Sequence, residues 1–421
     1  MGIDAKISAI QKGIKTIGIG KKGSRSLSKE LVQEILQELS CDQVLPAVKG
    51  AFFGALVMKG LSKGFTEDEK HLEQAFAPGV FQDSKQLAQI LCADAPLFIQ
   101  DICAELLRGE ILDKNTAERL GDFLFSNDPG DSARGLAASI LRVRYETPEE
   151  YEGLFLSLQK TFEPAFREPV PQGELLIQIA EPFDGVDQSN MITPLLGEFL
   201  QNLNYRVVHL VGRNSGPKMV YNLLDSAKAA RAQFLKNNRE LGMPKPVFGW
   251  FLNQEDLSEP LDHWVDIRRQ IIKRPFLAAL ERFVNPLNAD IIIASAFHAP
   301  YAEKMTNICQ RAGFPGIIIV RNGIEGTMGF PLKRPAKILC SSRQKDGNYL
   351  RHEITFDTQK FLGEPLEFEE NMENPCAQRN GELIHQYQDT GETGNRHFDL
   401  RVKATREGLR LAIEWIRNNQ K

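Results

Sequence analysis

Short apolar runs rich in Val and Ile recur beyond residue 174, and they constrain the fold more than any other feature of the sequence. The runs occupy residues 175–180, 206–211, 246–252, 289–296, 316–321 and 336–342. Amphipathic stretches lie between them, near residues 193–203, 217–237, 263–283 and 299–312. Apolar runs separated by helices predict a largely parallel sheet with helices on both faces. Such sheets bind ligands beyond the carboxyl ends of their strands, so the loops after these runs are the first candidates for a functional site.

The first part of the chain is predicted to be all helical. Two stretches, 27–76 and 112–160, show the same order of helical segments, which indicates a duplicated helical unit. Shared helical periodicity without duplication would give the same pattern, and the sequence leaves this alternative open. The residues that align are Leu27 with Leu112 and Ala51 with Ala137, at offsets of 85 and 86 residues.

These patterns predict an α/β protein with a small all-helical N-terminal domain, duplicated internally, and a larger α/β domain with a mostly parallel sheet. A proline-rich linker at FEPAFREPVPQG separates the two, because proline lacks an amide donor. Within the last part, residues 358–397 are expected to form an acidic loop and the chain to end in an amphipathic helix. The predicted domains are a basic arm at 1–26, a helical domain at 27–165, an α/β domain at 174–357, and an acidic excursion with a C-terminal helix at 358–421.

Charge is distributed unevenly along the chain. The formal net charge is only −4, yet residues 1–30 carry seven Lys/Arg against two acids. Segments of opposite sign permit a positive surface without a high isoelectric point, although solvated faces give the same pattern. No apolar stretch approaches the roughly 20 residues of a membrane span, and the first residues do not resemble a secretory signal. The six cysteines show no metal-ligand spacing, so we expect a cytoplasmic protein with reduced thiols.

Three glycine-containing loops follow predicted strands, at residues 180–196, 211–224 and 321–330. The second opens a helix with Ser215, Gly216 and Lys218 near its start. Free backbone amides at such a helix start can bind an anion. Ordinary turns use the same residue types, and this alternative stays open.

The order of these elements resembles the family-3 glycosyltransferases, which include the anthranilate phosphoribosyltransferases and, more distantly, the pyrimidine nucleoside phosphorylases. The segments FHAPYAEKM, RAGFPGIIIVRNGIEG and RRQIIKRPFLAALERFVNPLNA resemble stretches of that family, and the resemblance covers most of residues 27–340. It implies the nucleoside phosphorylase and phosphoribosyltransferase fold. It also implies a pentosyltransferase that uses phosphoribosyl pyrophosphate (PRPP) and Mg²⁺.

Three departures from the family pattern argue against the usual activity. The family's Gly-Thr-Gly-Gly-Asp phosphate loop is replaced by residues 181–185, Glu-Pro-Phe-Asp-Gly. Its Lys-His-Gly-Asn-Arg loop is replaced by residues 210–214, Leu-Val-Gly-Arg-Asn. Its acidic pair, which holds magnesium, is reduced to Glu325, followed by Gly326. One carboxylate is a poor magnesium site, so we expect no cofactor, with Mg²⁺ and PRPP only if activity remains.

The remaining pattern resembles a paralogous YbiB-type subgroup, whose members are dimers that bind nucleic acid without evident sequence preference. The resemblance implies a homodimer that binds DNA or RNA through lysine and arginine and makes no membrane contact. The expected nucleic-acid-binding residues are Lys12, Lys15, Lys21, Lys22, Arg25, Arg268, Arg269, Lys273 and Arg274.

The alternative function is an active glycosyl or phosphoribosyl transferase with an altered site. Its candidate catalytic residues are Asp184 and His298, although an aspartate in a turn commonly caps a helix and the histidine can equally be a capping or packing residue. Glu325 is the one weak candidate for a metal ligand. The phosphate or ligand-binding candidates are Gly185, Ser189, Asn190, Gly212, Arg213, Asn214 and Lys218. The sequence does not identify an acceptor or distinguish DNA from RNA.

Overall fold

A computed structural model describes most of the chain. The described residues are 7–20, 23–41, 43–214, 220–272, 276–296, 299–363, 369–370, 372 and 374–420. Lys21, Lys22, Lys218, His298 and the pair Lys273 and Arg274 therefore lie outside the described residues.

Helices and strands follow one another as the apolar patterns predict. The helices are α1 (Ala9–Ile17), α2 (Lys29–Ser40), α3 (Pro46–Lys63), α4 (Glu67–Lys70), α5 (Ser84–Leu91), α6 (Leu97–Leu107), α7 (Lys114–Leu124), α8 (Asp131–Arg144), α9 (Pro148–Gln159), α10 (Thr193–Asn202), α11 (Leu223–Ala229), α12 (Gln254–Leu257), α13 (Glu259–Ile271), α14 (Leu277–Phe283), α15 (Ala299–Arg311), α16 (Thr358–Leu362), α17 (Ala377–Thr390) and α18 (Arg396–Asn419). The strands are β1 (Leu176–Ala180), β2 (Arg206–Val211), β3 (Gln233–Phe234), β4 (Trp250–Asn253), β5 (Ile291–Ala296), β6 (Gly316–Arg321), β7 (Ala336–Arg343) and β8 (Tyr349–Phe356).

The described strands form one eight-stranded sheet in the order β3-β4-β2-β1-β5-β6-β7-β8. The strands from β3 to β6 pair in parallel, whereas β7 and β8 are antiparallel additions at one edge. This confirms the predicted α/β class with a mostly parallel sheet. The alternating residues of β8 indicate an edge strand, and β8 lies at the edge. The two-residue β3 is not predictable, because it is too short to leave an apolar run.

The chain divides into two compact units. The helical unit comprises residues 1–160 and 263–280, and the α/β unit comprises residues 161–262 and 281–421. Residues 263–280 belong to the helical unit although they follow four strands in the chain. Trp264 fixes them there: its ring is buried, and its Nε1 donates to the Leu124 carbonyl at 2.9 Å.

One buried glutamate arrangement occurs twice in the helical unit. Glu69 accepts hydrogen bonds from the amides of Leu27 and Thr66, at 3.0 and 2.8 Å, and forms an ion pair with buried Lys59. The second copy has the same geometry, with Glu150 accepting from the amides of Leu112 and Thr147 at 3.0 and 2.8 Å and pairing with Arg144. Glu69 thereby joins the residue before the N-cap of α2 to the capped start of α4. Glu150 joins α7 to α9 in the same way.

The N-terminal segment contains a packed helix where the sequence suggests a flexible arm. Ser8 and Gln11 form a capping box at the start of α1, and Ile10, Ile14 and Ile17 are buried. Their spacing puts one apolar face of the helix against α2 and α3. The basic residues of α1 therefore lie on a rigid element.

Residues 374–397 also differ from the expected loop. They include α17 and the first turn of α18, since Leu383, Ile384 and Tyr387 form a buried helical face. Acidic and polar residues on the outer face of α17 conceal this periodicity in the sequence. The C-terminal helix α18 packs on β7, as expected. Within the part of the chain that the structure describes, no helix is long and apolar enough to span a bilayer.

The second buried glutamate gives a stability prediction. Replacing Glu150 with alanine should lower the free energy of unfolding by about 3 kcal/mol, because it leaves the partly buried Arg144 and two amides without their acceptor. Urea denaturation measures this change. The matched control is Glu149→Ala, which removes an exposed carboxylate from the same helix turn and should cost less than about 1 kcal/mol. Equal losses in the two variants would contradict this account.

Candidate functional site

The loop that follows β1 lies at the centre of the sheet, because β1 pairs with β2 on one side and β5 on the other. Gly185 has a φ of +83°, and a Cβ there would lie 2.1 Å from the Tyr221 carbonyl oxygen, so only glycine fits. Val186 pairs with Tyr221 in an antiparallel bridge. These contacts fix residues 185–186 against the chain that follows β2.

Asn222, which the sequence analysis missed, joins the first two loops. Its side-chain amide is buried and donates to the carbonyls of Phe183 and Gly212, both at 2.9 Å. Its side-chain oxygen, Oδ1, caps α11 by accepting a hydrogen bond from the Asp225 backbone amide. The only sequence signal is a polar residue at a helix start, which also describes an ordinary cap.

Glu325 occupies the hydrogen-bond donors of the loop after β1. Its carboxylate accepts from the backbone amides of Asp187 and Gln188, at 3.0 and 3.2 Å, and from the Ser189 hydroxyl. Successive amides that converge on one point form an anion-binding concavity, and here the anion is a side chain of the same protein. The predicted ligand residue Ser189 is therefore engaged by Glu325.

The backbone at Glu325 is strained. Its φ is +50°, a left-handed conformation that costs a residue with a side chain about 1 kcal/mol. Burial raises the pKa of the Glu325 carboxyl, and the neighbouring Asp187 carboxyl raises it further. A strained, partly desolvated carboxylate is held in place because it satisfies three donors at once.

Glu369 and Glu370 occupy further donors around the same loops. Glu370 accepts from the side-chain amide of Asn190 at 2.7 Å and from its backbone amide at 3.3 Å. Glu369 accepts from the amides of Leu332 and Lys333, both at 2.8 Å. Part of the acidic excursion thus binds back onto the sheet loops.

Arg401 is the cation that pairs with both of these glutamates. Its guanidinium is buried, lies 3.5 Å from Glu369 and 3.7 Å from Glu370, and donates to the Phe330 carbonyl at 2.6 Å. Burial lowers the pKa of Arg401, while the two carboxylates oppose that shift. One guanidinium thus offsets part of the negative charge of two carboxylates, and the network keeps a net negative charge.

Glu181 and Arg282 lie at the base of the loops. Glu181 is 1% exposed and accepts a hydrogen bond from the Met328 amide. Burial raises its pKa to about 6. Arg282 donates to the carbonyls of Ala180 and Ser295, and burial lowers its pKa to about 10, so it stays charged at neutral pH. Asp184, the candidate catalytic carboxylate, is also buried.

The loop after β2 is closed by side chains as well. A Cβ at Gly212 would lie 2.7 Å from the Phe183 ring, so Phe183 fills the space beside this glycine. Arg213 donates to the Asp262 carboxylate at 2.8 Å and to its carbonyl at 3.0 Å. Asn214 is half-buried at the end of the described part of this loop.

The two basic segments, more than 240 residues apart in sequence, meet in the helical unit. The Gln11 side chain donates to the Gln270 carbonyl at 2.8 Å, which joins α1 to the C-terminal end of α13. Lys12 and Lys15 are exposed one turn apart on α1, and Arg25 is exposed nearby in sequence. Lys12 makes a loose ion pair, 3.8 Å from Glu34.

Arg268 and Arg269 differ in exposure. Arg268 is 2% exposed, so its guanidinium is not on a surface that a phosphate backbone can reach. Arg269 is half-exposed and lies 3.7 Å from Asp266. Of the two predicted contacts, only Arg269 has the exposure that the prediction requires.

No family model matches the sequence. A curated protein of Aquifex aeolicus (strain VF5), described as an uncharacterized protein, is 24% identical over 207 residues, which are 49% of this chain and 60% of that protein. The match therefore spans less than two thirds of the relative's length.

Solved structures of anthranilate phosphoribosyltransferases share the fold. The enzyme from Thermus thermophilus superposes with a TM-score of 0.57 at 16% identity, over 74% of this chain and 93% of that one. The enzyme from Saccharomyces cerevisiae in complex with PRPP and Mg superposes with a TM-score of 0.57 at 12% identity, over 77% and 95%. The chain therefore has the anthranilate phosphoribosyltransferase fold.

Glu181 gives a prediction about pH. Its pKa rises from 4.5 to about 6 on folding, so the folded state binds more protons than the unfolded chain in this window and stability falls as pH rises. Glu181→Gln removes this effect and keeps an acceptor for Met328. Its free energy of unfolding relative to the unmodified protein should increase by about 2 kcal/mol between pH 4 and 7.5. Urea unfolding at a series of pH values measures this, with exposed Glu303→Gln as the control. If the difference in unfolding free energy between Glu181→Gln and the unmodified protein does not vary with pH, folding does not raise the pKa of Glu181 and this account is wrong.

Proposed function

We propose that this is an anthranilate phosphoribosyltransferase-like protein that lacks the standard transferase activity and binds nucleic acid, as the YbiB-type subgroup does. The observation that carries the loss of activity is the Glu325 carboxylate on the amides of Asp187 and Gln188. The feature that supports nucleic-acid binding is the basic surface of the helical unit, defined as Lys12, Lys15, Arg25 and Arg269.

A phosphoribosyl donor that places its pyrophosphate at this loop would have to displace Glu325. The two amides and the Ser189 hydroxyl already have an anionic acceptor, and Pro182 supplies no amide of its own. A diphosphate would also enter beside Glu181 and Glu370, whose charges oppose a second anion. The occupied donors and the nearby negative charges therefore disfavour binding of PRPP at this loop.

The residues present also do not fit a magnesium ion that bridges phosphates. Such an ion needs several oxygen ligands in octahedral geometry. Glu325 accepts three hydrogen bonds and is followed by Gly326, which has no side chain to contribute.

The basic surface fits a phosphate backbone better than it fits a small ligand. Lys12 and Lys15 project from a capped helix, and the Gln11–Gln270 hydrogen bond brings the end of α13 beside that helix. A rigid array of exposed cations binds successive phosphates by releasing counterions. Such contacts carry no base information, so we expect little sequence preference.

The alternative, an active transferase with an altered donor, retains one favourable observation. Asn222 ties the loops after β1 and β2 into a single buried framework that contains Asp184, Gly185 and Gly212. A donor other than PRPP could use this framework if Glu325 moved away.

Calorimetry separates the two functions. We expect no heat of binding when PRPP and Mg²⁺ are titrated into the unmodified protein at millimolar concentrations. Glu325→Ala removes the internal anion and frees the loop donors, so this variant should bind pyrophosphate, whereas Glu303→Ala at an exposed site should not. Micromolar binding of PRPP by the unmodified protein, followed by pyrophosphate release with an amine acceptor, would establish the transferase instead.

A gel-shift series tests nucleic-acid binding. The unmodified protein should bind duplex DNA at about 50 mM salt, with log affinity falling by about 0.9 per contacted phosphate for each unit of log salt. Reversing Lys12 and Lys15 to glutamate should weaken binding strongly and reduce the slope by about 1.8, since two phosphate contacts are lost.

The matched control reverses Lys70 and Lys85, two exposed lysines of the same helical unit, and changes net charge equally. This control should keep most of the affinity, and melting temperatures should confirm that both variants are folded. Equal weakening by the two double variants would show a general charge effect without a basic binding surface. The absence of any binding at low salt would refute the proposal.

A further inference from the structure

The two helices at the centre of the helical unit meet in a reciprocal way. A Cβ at Gly50 of α3 would lie 1.9 Å from the Ser132 carbonyl oxygen of α8. A Cβ at Gly135 of α8 would lie 1.9 Å from the Ala47 carbonyl oxygen of α3. Ser132 follows Ala47 by 85 residues, and Gly135 follows Gly50 by 85 residues. Each helix therefore presents the same glycine to the same carbonyl of the other.

The same correspondence extends to the buried ion pairs. Arg144 follows Lys59 by 85 residues, while Glu150 follows Glu69 by 81, because α3 continues for four residues beyond Lys59 whereas α8 ends at Arg144. Both glutamates cap their own helix through a threonine in a capping box. Two copies thus share a backbone arrangement and a buried charge, which helical periodicity alone does not explain.

The helix that precedes each copy has an equivalent too. The buried residues Ile10, Gly13, Ile14 and Ile17 of α1 correspond, 89 residues later, to Ile99, Ile102, Cys103 and Leu106 of α6, which are also buried. The outer faces have diverged: Lys12 corresponds to Asp101, and both are exposed. The copies are therefore alike where they pack and opposite in charge at this surface position.

We propose that the helical unit is an intrachain dimer, in which the second copy of the unit is the partner of the first across the α3–α8 seam. A contact in which residue i meets residue j and j meets i is isologous, the geometry by which two identical subunits form a closed pair. Here one chain supplies both halves, so the seam is closed without a second chain. The protein is then a monomer that presents the basic face of α1 once. This departs from the homodimer that the family resemblance implies.

The mass of the full-length protein in solution tests this directly. Light scattering and sedimentation should give one chain, 47.3 kDa, at all concentrations from about 1 to about 100 μM. A mass of two chains in that range would overturn the proposal.

Seam variants provide a second, independent readout. Gly50→Ala forces the helices apart at a backbone atom, and it should lower the melting temperature by about 3 °C or more without changing the mass. Gly54→Ala, whose Cβ would lie 3.0 Å from the Leu136 carbonyl oxygen, is the milder version if the first variant does not fold. Ser62→Ala, at an exposed position of α3, is the control and should leave both values unchanged.

The dependence on protein concentration decides between the two arrangements. Because an intrachain seam opens in a unimolecular step, the unfolding midpoint of each variant should not depend on protein concentration. A midpoint that rises with concentration, or a seam variant whose mass differs from that of the unmodified protein, would show that the seam joins two chains.

Discussion

The hydrogen bonds between Glu325 and the loop after β1 determine what the α/β unit can do. Two backbone amides and a hydroxyl at the centre of the sheet converge on one point, and the protein places its own carboxylate there. Glu369, Glu370 and Arg401 extend the same principle, since donors around the loops are satisfied by acidic side chains that pair with one buried arginine. The donors of these loops are therefore already used by acidic side chains of the same protein.

The helical unit is organised by a different constraint, the close approach of two helix backbones at Gly50 and Gly135. Glu69 and Glu150 then join the segments before α2 and α7 to the capped starts of α4 and α9. The buried residues of α1 and α6 are similar, whereas the exposed Lys12 of α1 corresponds to the exposed Asp101 of α6. Of these two helices, α1 therefore carries the basic face. The two units thus support the proposed function separately, one by disfavouring a phosphoribosyl donor and the other by offering exposed cations.

The sheet can be predicted from the sequence because each buried parallel strand leaves a continuous apolar run. The candidate site can be predicted only in part. Gly185 and Ser189 are recognisable from their position after β1. The sequence does not reveal that Glu325 contacts this loop, because its partners lie more than 130 residues away in the chain. From the sequence alone, Glu325 therefore resembles a metal ligand. Glu370 falls in a stretch that resembles an acidic loop, and Asn222 resembles an ordinary cap. Partners that are distant in sequence leave no local pattern, so such contacts require the structure.

The central claim is that Glu325 permanently occupies the loop amides, and amide hydrogen exchange tests it most directly. The peptide containing Asp187 and Gln188 should be protected in the unmodified protein, and adding millimolar pyrophosphate should not change its exchange rate. In Glu325→Ala the same peptide should exchange faster and regain protection when pyrophosphate is added. Rapid exchange in the unmodified protein, slowed by pyrophosphate, would mean that the loop is open to phosphate ligands and would contradict the account.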